Sequence, residues 1–351
     1  MGHRGLAYTR SPSQRADHVS LPHSSRSNGI HPPEQGFGLV SAPARELIDA
    51  VLQAALDEDG IAEAWVMTSR GVGAAQGAVT TATRRRIDLT SDACIPEHAL
   101  ARARLVAKAP GVLSGVGIFS RALEICDPKA QTEILVRDGE RVSPGQEVLR
   151  TLGKARGLLY AERTGLNFVQ RLSGVATLTA RYVELCAGRA RVLDTRKTTP
   201  NLRVLEKYAV RCGGGTNHRF GLFDEAMVKN NHADLAGVTL IDLLRRLRAQ
   251  LGPKIKITCE ARDLGEACAG VDGDADVILL DNFATADLAR AVGELRARAR
   301  GRTRPLELEA SGGINERSVS QVAASGVDRI SIGALTHSAP ALDFSFYLRP
   351  A

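Results

Sequence analysis

Aromatic residues make up only 4% of the chain, with one tryptophan in 351 residues. So few ring faces leave little on which bases could stack. The arginine-rich stretch from Leu288 to Arg302 has no aromatic interleaving and reads as a solvated helix face, not a nucleic-acid platform. Six cysteines (Cys94, Cys126, Cys186, Cys212, Cys259, Cys268) are scattered without a Cys-x-x-Cys pair, which argues against a zinc site or a disulfide framework and predicts reduced thiols. No apolar run reaches the roughly 18 residues a membrane span needs, and the N-terminus lacks the continuous apolar core of a secretion signal. A soluble cytoplasmic protein is expected, with neither nucleic acid nor membrane as partner.

What is present is cationic. The formal net charge of +7 decides nothing alone, because nucleic acid, membrane surfaces and acidic metabolites all suit it. Its distribution is more telling. Between Leu193 and His232 lie LDTRKTTP, RCGGGTNHRFGL and MVKNNH, which gather Arg196, Lys197, His218, Arg219, Lys229 and His232 in one supersecondary unit. Uncompensated cations in a cleft are costly without a counter-charge, so this stretch is read as a pocket for a multiply anionic small molecule. Arginine matches a carboxylate or phosphate in bidentate fashion while lysine acts as a mobile point charge, which suggests two different anionic groups. The Gly213–Gly215 triplet would let backbone or ligand approach closely, although a plain flexible turn reads equally well.

The length predicts one large α/β unit and a smaller domain. Residues 1–43, rich in Ser, Pro, His and Arg, read as a disordered extension without chemistry. From Arg45 the positions Leu47, Ile48, Val51, Leu52, Ala55 and Leu56 recur at helical spacing and predict a helix ending near Gly60. An N-terminal α/β sandwich domain is expected over 44–160, with strands at Gly115–Phe119 and Thr132–Val136 and in DGERVSPGQEVL (Asp138 to Leu149). That last segment resembles half of a lipoyl or biotinyl carrier domain. No exposed-hairpin lysine follows it, so cofactor carriage is discarded. Residues 161–189 predict two bridging helices interrupted around Ser173 and Gly174.

Over 190–334 the pattern alternates strands and helices. Strands are predicted at Arg191–Asp194, Ala226–Lys229, Ile255–Glu260, Asp276–Asp281, Leu306–Ala310 and Asp328–Ile332. Such β/α units specify a parallel sheet, and about six are too few for a closed eight-stranded barrel, so an incomplete, open α/β barrel is expected. The charged residues fall at the C-terminal ends of the strands, where barrel active sites lie. Glu260 and Asp281 end successive strands, and such a carboxylate pair suits magnesium held partly by substrate phosphate; salt bridges to neighbouring lysines are the plainer reading. Ser311, Gly312, Gly313 and Gly333 follow late strands, where barrels cradle phosphate on backbone N–H groups.

Taken with ERTGLNFVQRLSGVAT (from Glu162), EKYAVRCGGGTNHR, DVILLDN, LEASGGI and DRISIGALTHS, these motifs closely resemble the quinolinate phosphoribosyltransferase family from about Thr90 to the C-terminus. The resemblance implies a decarboxylating transfer of phosphoribosyl from phosphoribosyl pyrophosphate to quinolinate in NAD biosynthesis, with magnesium and no organic cofactor. By motif it implies that Arg196, His218, Arg219 and Lys229 hold the quinolinate carboxylates, joined by Arg163 from a partner subunit, which makes the unit a homodimer at least. Lys197 and His232 would contact phosphoribosyl pyrophosphate, and Glu260 and Asp281 its ribose and the magnesium. The Ser311–Gly313 and Gly333 loops would hold the 5′-phosphate. Residues 335–351 would return to the N-terminal domain. Three positions depart from the family's usual pattern: Asn201 for Gly, Asn230 for Asp and Thr258 for Glu. A related enzyme with another anionic acceptor, a Schiff-base aldolase built on Lys229, and a nucleic-acid binder are the alternatives.

Overall fold

The computed structural model describes residues 43–60 and 87–351. The extension expected over 1–43 lies outside them but for Pro43. The predicted first helix is present as α1 (Arg45–Gly60), burying Leu52 and Leu56. It ends against the Tyr160 hydroxyl, which donates to the Leu56 carbonyl at 2.7 Å. A short helix, α2 (Leu89–Cys94), starts where the Asp88 carboxylate accepts from the Thr90 and Ser91 amides.

An antiparallel sheet follows. Its strands are β1 (Leu100–Ala107), β3 (Gln131–Ile134), β5 (Glu147–Lys154) and β12 (Phe344–Pro350), ordered β12-β1-β5-β3. A separate small ladder pairs β2 (Gly111–Val112) with β4 (Arg141–Val142). Alternation in β1 sends Ala101, Ala103 and Leu105 to the core and leaves Arg102 and Arg104 outside. The C-terminal strand β12 runs antiparallel to β1 with Leu105 opposite Phe346. There Phe346 meets Phe119 edge to face at 5.1 Å.

Phe119 lies on a helix, α3 (Val116–Cys126), where a strand was expected over Gly115–Phe119. Five apolar residues cannot distinguish a strand from a buried helical turn; here Val116, Phe119 and Leu123 continue at helical spacing, and Gly115 opens the helix at φ 93°. The two helices expected over 161–189 are also one, α4 (Ala155–Cys186). Ser173 and Gly174 do not break it. Ser173 bonds the Ser114 amide at 2.9 Å, and a Cβ at Gly174 would overlap the Pro340 carbonyl, so both mark close approach of other backbone.

The second large sheet is wholly parallel. Its strands are β6 (Arg191–Leu193), β7 (Glu225–Val228), β8 (Lys256–Ala261), β9 (Val277–Asp281), β10 (Glu307–Ser311) and β11 (Arg329–Ser331), ordered β6-β11-β10-β9-β8-β7. Each predicted strand is found within one residue at either end. Between them lie α5 (Arg203–Cys212), α6 (Asn230–Ala236), α7 (Leu240–Leu251), α8 (Leu264–Asp272), α9 (Thr285–Arg298), α10 (Val319–Ala324) and α11 (Ala334–His337). The edge strands β6 and β7 do not pair with each other, so the barrel is open as expected. Local chemistry sets these boundaries: the Thr239 hydroxyl caps α7 by accepting from the Asp242 amide, and Gly252 ends it at φ 73°.

Candidate active site

Arg196, Lys197 and Lys229 follow strands of the parallel sheet, and His218 and Arg219 lie on the loop between α5 and β7. Arg196 and Lys197 follow β6 and are exposed. Two buttresses hold their loop. Arg203, at the start of α5, donates to the Thr198 hydroxyl and to the carbonyls of Arg196 and Phe220, joining this loop to the one carrying Arg219. Fully buried Glu206 accepts from the Thr199 amide and hydroxyl and from Arg171, whose guanidinium also reaches the Ala339 and Thr336 carbonyls. The Thr336 hydroxyl in turn donates to the Lys197 carbonyl at 2.8 Å. Arg171, whose helical spacing alone suggests surface or interface charge, is thus structural support. The turn between the two regions needs a left-handed residue, and Asn201 supplies it at φ 64°. Asparagine tolerates that region better than most side chains, which is why it can stand where the family usually has glycine.

A buried pair anchors the second loop. Asp194 follows β6 directly, at 0% exposure, and bonds the Lys207 ammonium, the Asn217 amide and, at 3.0 Å, the His218 backbone N–H. His218 is buried, its Nδ1 accepting from the Arg219 amide at 2.7 Å and its Nε2 lying 3.3 Å from Glu309 Oε1. The Arg219 guanidinium reaches the Glu225 carbonyl and the Met227 sulfur. Burial lowers the pKa of Arg219, and the like charge of Arg196 lowers it further, only partly offset by Glu225, Asp224 and Glu260. An anion bound between these guanidiniums would relieve that opposition.

Lys229 follows β7, and its ammonium meets Glu260 Oε2 at 2.6 Å. The plainer sequence reading of Glu260, a salt bridge to a nearby lysine, is therefore realised. His232 closes the first turn of α6, its Nδ1 accepting from the Lys229 amide at 2.9 Å. Glu260 stands opposite Leu279 in the β8–β9 register, so Asp281 lies one pleat nearer the mouth on the neighbouring strand. Asn282 follows Asp281 at φ 57°; its amide donates to the Ser311 carbonyl at 2.8 Å, and its side chain donates to the Asp281 carboxylate at 3.0 Å. A Cβ at Gly312 would overlap Asn282, which fixes glycine in that loop. Gly333 lies close to Lys197 and His337, so its loop and the Lys197 side chain meet.

Arg163 lies on a different element, the long helix α4. It is exposed on α4 and makes no hydrogen bond or ion pair with any described residue of its own chain. The side chain of Asn230 lies outside the described residues. Thr258 is buried and donates to Glu225 Oε1 at 2.5 Å, a position where a carboxylate would have faced another carboxylate.

Sequence reasoning missed the interior charges: Asp194, Glu206, Lys207, Glu225, Glu309 and Arg329. Glu309 and Arg329 carried a signal. A strand of a parallel sheet is covered on both faces, so polar residues at alternating positions (Glu307, Glu309 and Ser311 on β10; Arg329 and Ser331 on β11) must face the interior of the barrel.

Comparison with known proteins identifies the family. Residues 88–173 match the model of the quinolinate phosphoribosyl transferase N-terminal domain, and residues 175–347 that of the C-terminal domain. A nicotinate-nucleotide pyrophosphorylase (carboxylating) of Mycobacterium leprae is 39% identical over 268 residues, which cover 76% of this chain and 92% of that one. A probable nicotinate-nucleotide pyrophosphorylase (carboxylating) of Archaeoglobus fulgidus is 41% identical over 252 residues, 69% of this chain and 92% of that one. Among solved structures, NadC from Streptococcus pyogenes superposes with a TM-score of 0.76 at 35% identity, covering 89% of this chain and 99% of that one. With both domains matched in order and relatives aligned over most of their length, the chain belongs to the quinolinate phosphoribosyltransferase family.

Proposed function

We propose that this chain transfers the phosphoribosyl group of phosphoribosyl pyrophosphate to the ring nitrogen of quinolinate, releasing pyrophosphate and carbon dioxide and leaving nicotinate mononucleotide for NAD synthesis. The observation that carries the reading is the opposed pair of guanidiniums, Arg196 and Arg219, with Lys229 linked to Arg219 through Glu260, in a chain that matches both domains of the family. Three cations, Arg196 and Lys229 after β6 and β7 and Arg219 on the loop between α5 and β7, suit a ligand with two carboxylates better than one with a single carboxylate. In this reading Arg196, Arg219, Lys229 and His218 hold quinolinate. Lys197, His232, Asp281, Glu260 and the Ser311–Gly313 and Gly333 loops hold phosphoribosyl pyrophosphate.

The chemistry asks for positioning and charge compensation. Breaking the bond between the anomeric carbon and pyrophosphate develops oxocarbenium character on the sugar and negative charge on the leaving group. Lys197 offsets the latter, the backbone N–H groups of the glycine loops hold the 5′-phosphate, and the carboxylate grip aligns the pyridine nitrogen for attack. Once ribosylated, the pyridinium nitrogen is itself the electron sink. The electron pair left by the departing carbon dioxide is stabilised beside that nitrogen and takes up a proton, so the reaction needs no organic cofactor and no strong general base.

Magnesium is the proposed cofactor. Among the described residues no three His, Cys, Asp or Glu side chains converge to cage an ion. Glu260 and Asp281 fit it as two carboxylates whose remaining partners are substrate oxygens; bound there, it would neutralise charge on the pyrophosphate. The proposed unit is a homodimer or higher, because Arg163 makes no hydrogen bond or ion pair among the described residues and Leu222, Phe223 and Leu235 are exposed on the elements that follow Arg219 and Lys229. The compartment is proposed to be the cytoplasm. Six free thiols suit a reducing environment, and no helix among the described residues is long and apolar enough to cross a membrane.

The test is direct. Protein mixed with quinolinate, phosphoribosyl pyrophosphate and magnesium is expected to yield nicotinate mononucleotide and carbon dioxide in equal amounts. Turnover of nicotinate or another acceptor, with none of quinolinate, would overturn the reading. Borohydride trapping with carbonyl substrates should leave Lys229 unmodified, since no Schiff base belongs to this chemistry.

A further inference from the structure

Glu309 and Arg329 are charged residues inside the barrel, at 0% and 3% exposure, and neither belongs to the proposed set of substrate contacts. They face each other across β10 and β11, with Arg329 Nε 2.5 Å from Glu309 Oε2. A well-packed apolar pair would fill the same space without the desolvation cost, so stability alone gives no reason for them. The second carboxylate oxygen points elsewhere. Glu309 Oε1 lacks an aligned hydrogen-bond partner, and so does His218 Nε2, yet these two buried atoms lie 3.3 Å apart. Contacts at a site are often long and poorly aligned before substrate binds and tighten when it does.

The His218 ring is held at its other nitrogen too, by the Arg219 amide, while its backbone N–H is held by Asp194. Orientation of the ring therefore sets the course of the chain into Arg219. Glu309 also lies two residues before Ser311 on one strand, on the same face and one pleat beneath the glycine loop. It is the described residue that touches the loop carrying Arg219 while sharing a strand with Ser311.

We infer that Glu309 is a positioning residue for the reaction proposed above: it fixes the His218 ring and, through it, the backbone of Arg219, locking the quinolinate loop to the strand that ends in the phosphate loop. Arg329 holds Glu309 in turn. Its other contacts, Glu307 at 3.2 Å and Glu225 at 3.9 Å, keep it charge-compensated from β10 and β7. Thr258 on β8 donates to Glu225 Oε1 at 2.5 Å and so joins the groups around the pair.

The inference rests on the proposed activity, so wild-type turnover of quinolinate is the control; its absence would count against that activity and not against Glu309. With wild type active, Glu309→Gln should raise the KM for quinolinate by about tenfold or more while kcat and the KM for phosphoribosyl pyrophosphate change less than about threefold. Glu309→Asp, which keeps the charge, should recover part of that loss. The deciding measurement is a double-mutant cycle with His218→Asn. If Glu309 acts through His218, adding Glu309→Gln to His218→Asn raises the quinolinate KM no further. Multiplying effects would overturn the inference, as would equal changes in both KM values and kcat, which mark general disruption. Should Glu309→Gln not fold, the same cycle run with Glu309→Asp decides by the same criterion.

Discussion

Lys207 is 2% exposed, and its ammonium bonds both Asp194 and the His218 carbonyl. The family motif EKYAVRCGGGTNHR carries this lysine, but nothing in its spacing tells a buried lysine from a solvated one, since helix α5 has charges on several faces. Breaking a buried pair leaves the other charge uncompensated. Lys207→Met should therefore destabilise the fold by about 3–5 kcal/mol in urea unfolding, far beyond a surface lysine such as Lys254. Glu309 gives a pH dependence of definite sign. Burial would raise its carboxyl, but the His218 ring and the Arg329 guanidinium outweigh it and hold the value at about 2, against 4.5 ordinarily. The group is charged in the folded state where it would be neutral in the unfolded chain. Its stabilisation is thus complete above the unfolded value and is lost as pH falls from there through about 2. Unfolding measured across that window should show a shallower acid loss for Glu309→Gln than for wild type. Residues at the mouth were legible because cations at strand ends have few structural explanations. The buried ones were not, because their partners lie on strands far off in sequence.

At the scale of elements the strands of the parallel sheet could be read closely, since each is a short apolar run covered on both faces and closed by glycine or a charge. Helix α4 shows where that reading fails. A serine and a glycine in mid-helix look like a break in one dimension, and only the segment around Pro340, over 160 residues later, explains them. Substitution separates the two meanings of a helical glycine. At Gly174 a side chain would strike the Pro340 carbonyl and the Ala341 backbone, so Gly174→Val should cost about 1–3 kcal/mol or more and loosen the C-terminal segment, seen as a lower Tm and faster proteolysis there. At Gly293 in α9 a Cβ would meet nothing within 4 Å, so Gly293→Ala should stabilise by about 0.5–1 kcal/mol through helix propensity and a less flexible unfolded chain. Equal effects at the two positions would contradict the close-approach reading of α4.

For the whole molecule, the open question is whether the site is complete within one chain. Arg196 acts electrostatically on Arg219, and Glu260 links Arg219 to Lys229, whereas Arg163 stands exposed on α4 with no hydrogen bond or ion pair among the described residues, although the resemblance gives it a place on quinolinate. A symmetric pair resolves this if the N-terminal half of each subunit lies over the other's barrel mouth and delivers Arg163 there. Complementation then has a numerical expectation. Arg163→Ala and Lys229→Ala should each be nearly inactive alone. In a mixed dimer, one site combines the intact strand ends of the Arg163→Ala chain with the intact Arg163 of the Lys229→Ala chain, and the other site carries both lesions. Random exchange of equal amounts makes half of the dimers mixed, so about a quarter of wild-type activity should return. Activity that stays near zero after exchange has been verified by subunits of distinct mass would place Arg163 outside a shared site, and its exposure on α4 would then need another explanation.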